Sequence, residues 1–159
     1  MIIETPKGRL GDTAFEGLAV DCLDIEWHDV HQKVARLTTR NGIELGLRLS
    51  EEISHRGLRQ DDVLYADGAT VVAVNIVPCA CIFVDVSDRE SLVKLCYEIG
   101  NRHSPFFYGE NGDGFLLPYD APMLAVMEKL GFAPRPVTAR LRPEKRISGA
   151  HGHGHGHTH

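Results

Sequence analysis

CIFVDVSDRESLVKLCYEIGNRH, residues 81–103, is the stretch on which the reading of the fold turns. Residues 81–86 are a short β-branched run that suits a strand. Ser87-Asp88-Arg89-Glu90 follows with the spacing of a capping box, in which Ser87 caps a helix and Glu90 reaches back to it. Leu92, Val93, Leu95, Cys96 and Ile99 then recur at helical spacing, which predicts a helix with one buried face. Gly100 is expected to end that helix in the left-handed C′ conformation. Downstream, residues 105–109 and 115–119 read as two strands around the turn Asn111-Gly112-Asp113-Gly114. Asp120 is placed to cap a second helix with Pro122 in its first turn. Met123, Leu124, Val126, Met127 and Leu130 form its apolar stripe, and Gly131 stops it. Residues 137–141 supply a last strand. The order is β-α-β-β-α-β across residues 78–143, a ferredoxin-like split βαβ pattern.

Working outward to the N-terminal side, Pro78 separates this rhythm from a different one. Residues 33–39 alternate, with Val34 and Arg36 set against Ala35 and Leu37. Asn41-Gly42 is a strong hairpin signal because both turn positions tolerate positive φ. Ile43, Leu45, Leu47 and Leu49 then fall at period two and bury one face of the return strand. Residues 61–65 lead through Asp67-Gly68 into a second return strand over 71–77. Residues 50–60 read as a polar connector. Residues 1–77 are therefore expected to form a small all-β domain without a helix, and the whole chain an α+β protein. From Arg142 onward the polar stretch RPEKRISGA has no periodicity, and HGHGHGHTH follows. Residues 144–159 are expected to be a disordered His-rich tail, because alternating glycine offers nothing to bury and costs the most backbone entropy to fix.

The composition narrows the function. The chain has 159 residues, 43% hydrophobic and 25% charged, enough for a buried core. Its 17 Lys+Arg against 22 Asp+Glu give a net charge of -5, which argues against a nucleic-acid binder. No secretory leader is visible at MIIETPKGRL, and the apolar run 71–86 is interrupted and shorter than the roughly 20 residues of a membrane span. A cytoplasmic protein without membrane association is expected. Cys22, Cys79, Cys81 and Cys96 do not form a disulfide framework or a CxxC spacing and read as small residues of the core, with a metal role for one of them as the alternative. No nucleophile elbow, P-loop or dinucleotide fingerprint is present, so the chain does not read as an enzyme.

Histidine is the exceptional residue: nine in all, five of them in the last nine positions. His151, His153, His155, His157 and His159 sit at every second position, and imidazoles on glycine spacers converge readily on Ni, Cu or Zn. Such ligation requires neutral imidazole, so it weakens as pH drops below the free histidine value of about 6.5. A native metal tail, a purification tag and an inert tail all fit the composition. His28 and His31 lie three apart with no helix to align them, and read as turn residues or an accessory ligand pair. His55 carries no assigned role.

KLCYEIGNRHSP, residues 94–105, closely resembles the signature of the UreE family of urease accessory nickel metallochaperones. The resemblance continues through EWHDVHQKVARLTTRNGIELGLRLSEEI (26–53) and GLRQDDVLYADG (57–68), with Gly42, Glu44, Gly46, Asp62 and Leu64 in the expected places. It spans essentially the whole chain. The resemblance implies an N-terminal β-domain akin to the Hsp40 peptide-binding fold, a ferredoxin-like domain that binds metal and dimerises, and a His-rich end. It implies that the histidine of the Gly-Asn-x-His element, His103 here, meets its twin at a two-fold axis and holds nickel between two chains. Two imidazoles do not close a coordination shell, and the tail histidines are the expected additional ligands. Some members carry further histidines after this motif; here Gly114-Phe-Leu-Leu-Pro-Tyr-Asp120 has none.

The function implied is delivery of Ni²⁺ to urease during its maturation, with urease apoprotein and a urease accessory GTPase complex as partners. The alternative is storage or detoxification of Ni, Zn or Cu by the tail alone. A peptide-binding module with an incidental tail is a third reading. The two metal readings part at His103, which matters to a delivery protein and not to a sponge.

Overall fold

Leu45, Leu47 and Leu49 alternate with polar or small residues, and all three are almost completely buried. That alternation builds the first half of the computed structural model, which describes residues 1–147. Its elements are β1 (Ile2–Ile3), β2 (Gly8–Arg9), β3 (Ala19–Ile25), β4 (Val34–Thr38), β5 (Glu44–Arg48), α1 (Glu51–Arg56), β6 (Asp62–Ala66) and β7 (Thr70–Ile76). Two sheets result, in the orders β1-β5-β4 and β2-β6-β7-β3. The hairpins β4–β5 and β6–β7 are antiparallel, as the sequence suggests. In the first of them only Gly42 takes positive φ, at 86°, while Asn41 does not.

Two features of this half differ from the sequence reading. The connector after residue 50 holds a short helix, α1, because the Ser50 side chain accepts the amide of Ile53 and Ile53 is buried under it. Six residues are too few for a clear apolar stripe, so the cap is its main local signal. The other is β3, which pairs in parallel with β7 from Ala19↔Thr70 to Ile25↔Ile76. A parallel partner far along the chain leaves no hairpin turn to read.

The second half runs β8 (Cys79–Val84), α2 (Arg89–Asn101), β9 (Phe107–Tyr108), β10 (Phe115–Pro118), α3 (Ala121–Lys129) and β11 (Arg135–Ala139). All neighbours in its sheet, ordered β11-β8-β10-β9, are antiparallel. Both helices pack on one face of it, where Ile82, Val84, Leu95, Ile99, Leu117, Met123 and Met127 form a core. The other face carries a smaller cluster, Cys81, Phe107, Leu116 and Leu141, against which Trp27 of the first half packs. Arg140 adds a polar tie across the joint, its Nε donating to the carbonyl of Ile76 at 2.9 Å.

The caps bring two more corrections. Asp88, not Ser87, caps α2, its carboxylate accepting the Ser91 amide at 2.8 Å. Serine and aspartate cap about equally well, and the helix begins one residue later than the capping-box spacing suggests, at Arg89. Gly100 does not terminate α2, which continues through Asn101. Asp120 caps α3 as read, accepting the Met123 amide at 2.9 Å. The expected disorder of 144–159 falls largely outside the described residues, although Pro143–Lys145 forms a short 3-10 turn.

Candidate metal centre

Helix α2 needs a residue to reverse the chain after Arg102, its C-cap. His103 does this at φ 54°, in the left-handed region. Its amide donates to the Gly100 carbonyl at 3.0 Å, and the Ser104 amide donates to the Ile99 carbonyl at 3.3 Å. These are the two hydrogen bonds of a Schellman motif, with histidine at the C′ position that glycine usually fills. Left-handed backbone costs an L-residue about 1–2 kcal/mol, and only Gly, Asn and Asp visit it routinely. The imidazole is thereby held at an exposed helix end, while Arg102 folds back to pair with Glu98.

The outer face of α2 leading to His103 is bare. Val93 is 63% exposed and Tyr97 68%. They lie one turn apart and continue toward Gly100, around which an added Cβ would meet nothing within 4 Å. The sequence stripe placed Val93 and Cys96 on the buried face; the structure buries Leu95 and Ile99 and leaves Val93 and Cys96 outside. Five apolar residues within about two turns cannot all point inward, so the stripe overstated the buried face.

The remaining histidines of the folded part have other engagements. His28 pairs with Asp29 at 3.2 Å on the surface. His31 donates from Nδ1 to the Ser54 carbonyl at 2.9 Å and packs over Gly57. His55 is exposed in the last turn of α1. Cys79 and Cys81 bring their Sγ atoms to 3.7 Å. Burial pushes the Cys81 thiol up to about 12 and raises that of Cys79, so neither is a ready thiolate. Among the described residues no three His, Cys, Asp or Glu side chains gather into a metal site. His103 belongs to no such group among the described residues. His151, His153, His155, His157 and His159 lie outside the described residues. Residues 146 and 147 pair with the segment that follows His103: Arg146 bridges Phe107, and the Ile147 amide donates to the Phe106 carbonyl at 2.8 Å.

Two family descriptions match in succession: UreE urease accessory protein, N-terminal domain, over residues 7–77, and its C-terminal domain over residues 79–159. The chain belongs to the UreE family. It is 36% identical to the urease accessory protein UreE of Helicobacter pylori over 148 residues, 93% of this chain and 86% of that relative. The UreE of Helicobacter acinonychis matches to the same extent. The UreE of Acetivibrio thermocellus is 38% identical over 141 residues, 89% of each chain. Members of the UreE family are urease accessory proteins and not enzymes. No helix among the described residues is long and apolar enough to cross a membrane.

The left-handed backbone at His103 escaped the sequence reading. Gly100 is the stronger C′ residue by propensity, and it drew the predicted helix end three residues too early. The signal that was available is an apolar pair, Val93 and Tyr97, continued by a glycine and followed by a histidine.

Proposed function

We propose that the protein is a nickel metallochaperone that hands Ni²⁺ to urease, or to the accessory GTPase complex that assembles it. The observation that carries this reading is the exposed His103, held in a strained left-handed turn at the end of a bare helix face. Strain of this kind persists where surrounding structure and function require it. In this reading α2 of one chain faces α2 of a second across a two-fold axis. An isologous contact brings both His103 rings to one ion, so one histidine per chain supplies two ligands. Gly100 lets the two backbones approach, and Val93 and Tyr97 give the contact its apolar area.

The chain then divides into a partner-binding, Hsp40-like β-domain (1–77), a ferredoxin-like metal-binding and dimerisation domain (78–143) and a His-rich tail (144–159). The strand order β11-β8-β10-β9 with both helices on one face supports the ferredoxin-like assignment. The tail completes the coordination shell. His151 lies four residues beyond Ile147, and four extended residues span at most about 14 Å. The mechanism is ligand exchange: the tail recruits the ion, the paired His103 rings hold it, and an incompletely closed shell lets a partner accept it. Nickel is cargo, and a cytoplasmic location follows from that role. Cu²⁺ and Zn²⁺ also suit imidazole, with Cu²⁺ binding more tightly than Ni²⁺.

Calorimetry at neutral pH tests this on a chain ending at Gly149, with and without His103→Ala. One tight Ni²⁺ per two chains is expected, lost on replacing His103. Absence of binding in the shortened chain, or binding that survives His103→Ala, moves the function to the tail and favours storage.

A further inference from the structure

Arg9, Arg56 and Arg59 converge with Pro6, Gly8 and Asp62 on a cavity of about 240 Å³ in the N-terminal half. The one acidic side chain in that lining is already engaged. Asp62 is 4% exposed, accepts the Arg59 amide at 2.9 Å and pairs with Arg56 at 3.0 Å. Arg56 also donates to the Gly57 carbonyl at 3.0 Å. Arg56 and Asp62 therefore neutralise each other and form a fixed wall.

Among the described residues the Arg9 and Arg59 side chains have no such carboxylate partner. The exposed Arg9 guanidinium reaches the Gln60 carbonyl, at 3.3 Å. The Nε of Arg59 is shut off from solvent and has no acceptor among the described residues. A buried donor left unpaired costs about 1–3 kcal/mol. The same protein shows how its arginines behave when a carboxylate is in reach. Arg40 donates from Nε and a terminal nitrogen to Asp24 at 2.9 and 2.8 Å. Arg48 directs the same two nitrogens to a single oxygen, Oε1 of Glu4, at 3.2 and 2.6 Å. The planar guanidinium edge matches the two oxygens of a carboxylate. The lining holds three guanidinium groups and one carboxylate, with the Asp12 carboxylate beside Gly8, where it accepts the Arg9 backbone amide at 2.7 Å.

We propose that this cavity binds a carboxylate between Arg9 and Arg59, with Arg59 turning its unpaired edge to the incoming oxygens. The carboxylate comes from an acidic residue of a partner protein or from a small carboxylic acid. The site is independent of His103 and of nickel.

The test follows the arginine Nε–H resonances of the ¹⁵N-labelled full chain by NMR. Succinate, a blocked Asp-Glu dipeptide and inorganic phosphate are titrated separately, against sodium chloride at matched ionic strength. The Arg59 resonance is expected to shift saturably with succinate or the dipeptide, with or without nickel and equally in His103→Ala. Tighter binding of the dipeptide assigns the ligand to a protein partner, and tighter succinate to a small acid. Arg59→Lys should weaken binding about tenfold, because it keeps the charge and loses the fork. Arg9→Gln, on an exposed side chain that leaves the fold intact, should weaken it too and decides the matter if Arg59→Lys disturbs the spectrum globally. Equal shifts with chloride, saturation by phosphate alone, or unchanged affinity in Arg9→Gln overturns the proposal.

Discussion

His103 is the residue where conformational cost and exposure meet. Its φ of 54° suits glycine better than any side chain. His103→Gly is therefore expected to raise the melting temperature by about 2–4 °C, the effect of roughly 1 kcal/mol in a chain of this size. The same change should abolish the tight nickel site in the chain ending at Gly149. A calorimetric scan beside a nickel titration reads both, and a lower melting temperature would show that the imidazole makes a stabilising contact instead. Asp24 carries a second residue-scale prediction. Hydrogen bonds from Arg40, which lead, and from Asn75 hold its carboxyl below the ordinary 3.8. A depressed folded value gives stability that is complete above the unfolded value and lost as pH falls through the folded one. Asp24→Asn should therefore lower the urea midpoint at pH 7 and lower it less as pH falls through the depressed folded value. Equal losses across that range would mean that packing, not charge, is what Asp24 supplies.

At the scale of the element, α2 has two unlike faces. Leu95 and Ile99 are sealed in the core, and Leu95→Ala should cost about 2–5 kcal/mol in urea unfolding. Gly100, on the other face, has open space around it and serves no packing need within the chain. Gly100→Ala should stabilise the helix by up to about 1 kcal/mol. Gly100→Leu should instead weaken self-association in sedimentation velocity if the proposed two-fold contact forms there. An unchanged sedimentation coefficient at all concentrations would place any dimer contact elsewhere. The period of α2 was legible from Leu92 to Ile99, because helical spacing is a local property. Which apolar residues stay outside was not, since the stripe was wider than the core beneath it.

At the scale of the whole molecule, the joint between the halves is small and specific. Trp27 meets Phe107 edge-on with ring centroids 5.9 Å apart. Arg140 reaches across to Ile76 and Asn75, and Asn75 in turn donates to Asp24 at 2.7 Å. Trp27→Ala should cost about 3 kcal/mol and separate the unfolding of the two halves in a calorimetric trace. A single transition that merely shifts downward would mean that Arg140 and its partners suffice to couple them.

The β-α-β-β-α-β order of residues 79–139, the cap at Asp120 and the family were legible in the sequence. Each depends on neighbours a few residues apart or on motifs read in place. Ser50 was passed over within a connector, yet its side chain was there to be read. Tertiary structure decided what local patterns do not contain: the parallel pairing of β3 with β7, and the exposure of Val93, Tyr97 and Cys96. It also decided that the chain turns at His103 and not at Gly100. A backbone hydrogen bond across half the chain, or a helix that runs past Gly100 to turn only at His103, is selected by the packing of the sheet and core below it. Intrinsic propensity differs by about 1 kcal/mol at such positions and is readily overruled by that packing.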